Sequence, residues 1–187
     1  MDWLRIYLLA GLVAHKAIWE LLKRRAPAPS PPARSSGIGF VKAVKILILA
    51  GILVQTLLPD ILPISSDPGA LRATGAVLFS LGLFLAVLGR IQLGDNWLDI
   101  EAAAVKQNQA VVTRGVYGYV RHPIYTGDLI LLLGLELALN SWLVILALLL
   151  VPVVLRQAIR EEQTLVKHLP GYGAYCRRTK RFIPFLA

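Results

Sequence analysis

The chain has 187 residues, room for one domain, with 56% hydrophobic residues and a mean hydropathy of +0.63. A water-soluble fold of this size has no interior large enough for that much apolar side chain, so the composition points to an integral membrane protein. The formal net charge of +9 sits on bases clustered between apolar runs, which fits anchoring to membrane lipids and not to nucleic acid; the single cysteine, Cys176, excludes an intrachain disulfide and CxxC metal sites.

The first apolar run, Trp3 to Leu22, carries Arg5, His15, Lys16 and Glu20. It is too long, and too charged near its end, to read as a cleaved signal peptide. Lys16 and Glu20 are spaced to pair across one helical turn. Structural pairing is the simpler reading of His15, Lys16 and Glu20 than a proton path. The stretch Ala26-Pro27-Ala28-Pro29-Ser30-Pro31-Pro32 cannot continue a helix and predicts an extended spacer.

The second run is Val41 to Leu62 and the third Ala70 to Leu93. Both approach the ~20 residues a spanning helix needs. The fourth, Pro123 to Leu139, and the fifth, Trp142 to Ile159, are shorter. At ~1.5 Å per residue they barely cross the hydrocarbon, so thinning or burial among neighbours is expected. Asp128 and Glu136 fall in the fourth run, Asp128 one turn past Tyr125 and Glu136 near the outer interface. Open sheet edges find no partner in lipid, so strands are not expected.

Lys and Arg set the orientation. Lys23, Arg24, Arg25, Arg34, Lys42 and Lys45 lie between the first two runs. Lys106, Arg114 and Arg121 lie between the third and fourth, with Arg90 just before them, and the C-terminal part carries Arg156, Arg160, Lys167, Arg177, Arg178, Lys180 and Arg181. The turn from Pro59 to Pro68 has Asp60 and Asp67 but no base, and the turn at Asn140 and Ser141 is uncharged. The positive-inside rule then places the N-terminus outside and the C-terminus in the cytoplasm, after five crossings.

The residues with chemical potential lie in the C-terminal half. In Arg121-His122-Pro123-Ile124-Tyr125, Pro123 suits the first turn of a helix. His122 and Tyr125 then share a face, and Arg121 with the free N–H groups of that turn can bind an anion. Arg160-Glu161-Glu162 stands at the cytoplasmic end of the fifth run. Folded as a hairpin, runs four and five bring both clusters to one membrane face, where buried carboxylates need cationic partners. Upstream, Gly94, Gly115 and Gly118 permit tight turns. Trp97, Tyr117 and Tyr119 either stack on a ring or sit at the interface. The tail from Tyr172 to Pro184 is basic and aromatic; it either lies on the membrane or closes over a site. No dinucleotide, P-loop or zinc motif is present, and no metal is implied.

The order and spacing of four motifs resemble the isoprenylcysteine carboxyl methyltransferase family, within the wider group that includes phospholipid methyltransferases. They are Leu-Gly-x-x-Trp at Leu93 to Trp97, Gly-x-Tyr-x-x-x-Arg-His-Pro-x-Tyr at Gly115 to Tyr125, Glu-Glu-x-x-Leu at Glu161 to Leu165, and Tyr-x-x-Tyr-x-x-Arg-Thr at Tyr172 to Thr179. The resemblance covers roughly the C-terminal half. Where many members have Phe-Gly before the last motif, this chain has His168-Leu169-Pro170-Gly171.

The resemblance implies an all-α integral membrane fold: five transmembrane helices and a cytoplasmic cofactor site built from the last helical hairpin, the preceding loop and the C-terminal segment. Residues 1–187 form one domain, with 1–93 the N-terminal helices and 94–187 the catalytic half. It implies S-adenosyl-L-methionine as cofactor, held by Arg121, His122, Pro123, Tyr125 and Glu162, with Val112, Gly115 and Tyr117 toward the adenosine. Arg121, Arg160 and Glu161 are the expected catalytic groups: a cation for a carboxylate acceptor, or a base for an amine.

The activated methyl group needs mainly alignment and exclusion of water. Carboxyl methylation of an isoprenylcysteine-like or other lipophilic acceptor, reaching the site from the bilayer, is the leading expectation. Phospholipid, amine and thiol acceptors stay open. So do two other classes, a non-enzymatic membrane scaffold or transport factor, and a reductase related to membrane sterol reductases.

Overall fold

The computed structural model describes residues 2–25, 37–58, 61–96 and 110–184. The proline-rich spacer, Pro59, Asp60, Trp97 and Lys106 lie outside them. Among the described residues the chain is all-helical: α1 (Trp3–Arg25), α2 (Gly37–Leu57), α3 (Gly69–Leu93), α4 (Pro123–Ala138), α5 (Val144–His168) and a short α6 (Tyr172–Arg178). Two 3-10 turns, Gly94–Asn96 and Gly115–Gly118, flank the approach to α4. Two isolated bridges, Pro63 with Ser141 and Val120 with Lys180, stand between the helices of the described residues.

The α3–α4 pair is the spine. On α3, Gly75, Phe79, Gly82, Ala86 and Gly89 alternate at spacings of four and three; on α4, Gly127, Leu131, Gly134 and Ala138 do the same. That period keeps one stripe facing the partner helix. The stripes interlock with small residues opposite backbone. A Cβ on Gly82 would sit 2.2 Å from Leu131 N, and one on Gly134 2.2 Å from Phe79 N. Backbones can approach this closely only where side chains are missing, the usual way helices pack in lipid. α1 lies across the pair, with Leu8 buried in the cluster of Phe79, Leu131, Leu135, Ala138 and Leu139.

One end of the bundle is tied by polar groups. Asn140 donates from Nδ2 to the Ser65 carbonyl at 2.8 Å and accepts the Ser65 N–H at 3.0 Å. Arg5, buried, donates to the carbonyls of Thr56 and Leu58. Glu136 is buried as well, accepting from Gln55 Nε2 at 2.6 Å. α2 covers Glu136 and supplies the donor that a buried carboxylate needs.

Gly69–Asn96, which is α3 with its 3-10 extension, is long and apolar enough to cross a membrane. Outward-facing Leu146, Leu148, Leu149, Val151 and Val153 on α5, and Ile46 to Leu49 on α2, add exposed apolar surface.

α5 departs most from its expected bounds. It continues nine residues past Ile159, so Arg160, Glu161 and Glu162 lie within the helix and not where it ends. The extension is amphipathic: Ala158, Glu162 and Leu165 recur on one buried face among good helix formers. Gly171, at φ 84°, then turns the chain into α6.

Candidate functional site

The site forms where the start of α4, the extension of α5 and the tail meet. The tail runs beside Val120 through a parallel bridge at Lys180. Lys180 N donates to the Tyr119 carbonyl at 3.0 Å, Arg121 N to the Lys180 carbonyl at 2.8 Å, and His122 N to the Arg181 carbonyl at 3.1 Å. The basic tail therefore closes over the Arg121–Tyr125 segment, the second of its two sequence readings.

Glu162 is the hub. Its Oε1 accepts from Arg121 Nε at 2.8 Å, His122 Nε2 at 3.0 Å and Arg181 Nε at 3.1 Å, while Arg181 Nη2 reaches Oε2 at 2.8 Å. Burial alone pushes this carboxyl's pKa up; the hydrogen bonds from His122, Arg181 and Arg121 outweigh it and hold the group ionised, well below the usual carboxylate range. Arg121 also donates to the carbonyls of Cys176, at 3.1 Å, and Thr179. Its guanidinium thus joins α4, α5 and the tail.

Outside this lock, His122 and Tyr125 stack with ring centroids 5.4 Å apart and planes 16° apart, as two neighbours on one turn can. Phe182 tilts against the His122 ring at 5.8 Å. Tyr125 donates its hydroxyl to Glu161 Oε2 at 3.0 Å. Glu161 and Arg160 are exposed, unlike Glu162.

A second layer supports the approach segment. Gly115 stands at φ 62°, and a Cβ there would meet Gln92 Oε1 at 2.2 Å. Gln92 Oε1 accepts the Val116 N–H at 2.9 Å. The backbone conformation favours glycine at 115, and a side chain there would also displace the Gln92 amide. Tyr117, buried, donates to the Gly89 carbonyl at 3.3 Å, and Tyr175 donates to the Tyr117 carbonyl at 2.8 Å. Burial raises the phenols of Tyr117 and Tyr172, and that of Tyr175 to about 12, so all three remain neutral donors. Pro123 is fully buried at the start of α4. Val112 is half-buried.

The structure thus brings together Arg121, His122, Tyr125, Glu161 and Glu162, five of the residues singled out in the sequence. Arg160 lies on the exposed side of α5 and Trp97 outside the described residues. Arg181 and Phe182 had not been distinguished. In the sequence Arg181 is one base in a basic run, with no local mark that separates it from Arg177, Arg178 or Lys180. A cleft of about 460 Å³ is lined by Glu162 together with Arg121, Ile159, Gln163, Val166, Cys176 and Arg181 among others.

Comparisons with known proteins bear on the family and the fold. The family model for phospholipid methyltransferase matches residues 71–171. The cobalt-zinc-cadmium resistance protein CzcN of Cupriavidus metallidurans is 33% identical over 112 residues, 57% of this chain and 48% of that protein. Protein-S-isoprenylcysteine O-methyltransferase of Schizosaccharomyces pombe is 29% identical over 109 residues, 57% of this chain and 46% of that one. The chain spans about half the length of these curated relatives. The fold is similar to that of a eukaryotic intramembrane Ras methyltransferase, an isoprenylcysteine carboxyl methyltransferase, with a TM-score of 0.55 at 20% identity over 82% of this chain and 54% of that one. The chain belongs to the phospholipid methyltransferase family, and its resemblance to isoprenylcysteine methyltransferases is borne out.

Proposed function

We propose that the protein is an S-adenosylmethionine-dependent methyltransferase of the membrane, acting on a lipophilic acceptor that reaches the site from the bilayer. The observation that carries this reading is the Glu162 lock. It holds the His122–Tyr125 stack and the exposed Glu161 carboxylate at one helix start, within the segment matched by the family. In this reading α1 to α5 each cross the bilayer, with the fifth crossing ending near Ile159. The N-terminus lies outside, and the site and tail lie in the cytoplasm.

The residues fit the cofactor's chemistry. Glu161 is a carboxylate with an open side, suited to an ammonium or sulfonium charge. The stacked rings of His122 and Tyr125 offer an aromatic wall, and cation attraction to such rings is well established. The turn at Val112 to Gly115 presents backbone close to Tyr117, where an adenosine would be held. Glu162, with both oxygens engaged, keeps this clamp in shape. S-adenosylmethionine supplies an already activated methyl group, so the protein's work is to bind, orient and exclude water.

Isothermal titration of the purified protein with S-adenosylmethionine tests the proposal, followed by transfer of a labelled methyl group. Binding weakened by His122→Ala and by Glu161→Gln is the expected result. Absence of binding across several detergents and lipids would overturn the reading.

A further inference from the structure

α1 reaches α4 through His15, whose Nε2 lies 3.0 Å from Asp128 Oδ1. The His15 ring is stacked on Trp19, with centroids 4.1 Å apart and planes 20° apart. The His15 and Asp128 side chains are 25% and 44% exposed, so a ligand can reach them. Asp128 lies one turn along α4 from Tyr125, whose hydroxyl donates to Glu161. Three helices thus bring His15, Asp128, Tyr125 and Glu161 to one region. Lys16 and Glu20, the other charges nearby on α1, pair with each other at 2.8 Å.

A carboxylate that engages one ring nitrogen of a histidine fixes its tautomer and leaves the other nitrogen able to take a proton. A carboxylate acceptor has no use for such a base; it needs a cation. Arg121 is already committed to Glu162 and to two carbonyls of the tail, and Arg160 lies on the exposed side of α5. An ammonium or thiol acceptor, by contrast, must lose a proton before it can attack.

We propose that His15, oriented by Asp128, is the base on the acceptor side, and that the acceptor carries an N–H or S–H proton. This rests on the methyltransferase reading. The acceptor's N–H or S–H bond breaks and its proton passes to His15 Nδ1. The electron pair left on nitrogen or sulfur forms the new bond to the methyl carbon. The old carbon–sulfur bond breaks, its electrons staying on the departing sulfur as a neutral thioether.

The full chain, in lipid nanodiscs with labelled S-adenosylmethionine, is offered three probes of equal chain length: dodecanethiol, dodecylamine and dodecanoate. Methylation of the thiol or the amine is expected, and whichever is used distinguishes the two. His15→Gln lowers that kcat about 100-fold and leaves cofactor binding unchanged. Asp128→Asn, which favours the wrong tautomer, also lowers it and carries the test if His15→Gln does not fold.

Where the thiol is the probe methylated, dodecanethiol bound to the wild type without cofactor shows thiolate absorbance that His15→Gln abolishes. Methylation of dodecanoate alone overturns the proposal. So does an equal loss with every probe methylated, the mark of a mere strut between α1 and α4. A wild type that neither binds S-adenosylmethionine nor transfers methyl brings down the underlying reading as well.

Discussion

Arg121 and Glu162 are 41 residues apart in sequence, and Arg121 Nε donates to Glu162 Oε1 at 2.8 Å with both side chains 9% exposed. The pair closes the α4–α5 hairpin at its polar end. Arg181 adds a second guanidinium from the tail, so one carboxylate holds three chain segments together.

Glu162→Ala leaves two arginines and a histidine without their anion. Removing one partner of a buried pair costs about 3–5 kcal/mol, and the tail should loosen with it. Glu162→Gln keeps shape and an acceptor oxygen, and is expected to cost less. Thermal unfolding in detergent gives the order, and protease sensitivity of the tail beyond Thr179 gives the local effect. Equal melting temperatures for wild type and Glu162→Ala would contradict the role.

The depressed pKa of Glu162 makes stability depend on pH. The folded group titrates below its unfolded value of about 4.3. Its contribution is therefore fully present above that unfolded value and is lost as pH falls through the folded one. Acidification from neutrality should lower the melting temperature late, in strongly acid solution, and Glu162→Gln should flatten that limb. A loss centred near pH 6 would point to another group.

The glycine seam predicts a contrast between two helical glycines. Gly82→Ala places a methyl 2.2 Å from Leu131 N, so α3 and α4 must separate; overpacking of this kind costs about 1–3 kcal/mol. A Cβ at Gly51 of α2 meets nothing within 4 Å, and Gly51→Ala should stabilise by up to about 1 kcal/mol. Unfolding measured side by side in one detergent tests the sign of each change.

Orientation is testable with single cysteines in a Cys176→Ala background. Ser66→Cys, in the exposed turn before α3, should react with an impermeant maleimide from outside intact cells. Lys180→Cys, exposed in the tail, should react only after permeabilisation. The opposite pattern would invert the topology.

Much of this site was legible because its residues announce themselves in pairs. Pro123 marked the start of α4 through its missing N–H, and that start is where the helix begins. Arg121 and His122 called for an anion, Glu161 and Glu162 for cations, and a hairpin left little choice of partner. What could not be read was which glutamate would be consumed. Neighbouring residues on a helix point about 100° apart, so only the observed extension and rotation of α5 turn Glu162 inward to the lock and leave Glu161 at the surface. The seam of Gly75, Gly82 and Gly89 was not read from the sequence, because its meaning needs the matching Gly127 and Gly134 on the facing helix.

By itself the sequence determined the class of the protein. Its apolar runs have helical length and its motifs carry a family, both properties of local chemistry along the chain. Tertiary structure alone decided that Arg181 completes the Glu162 lock, that the tail closes over His122, and that His15 meets Asp128 across 113 residues. Those contacts depend on helix rotation and on how closely backbones pack. Both are fixed by the whole bundle, and no local stretch encodes them.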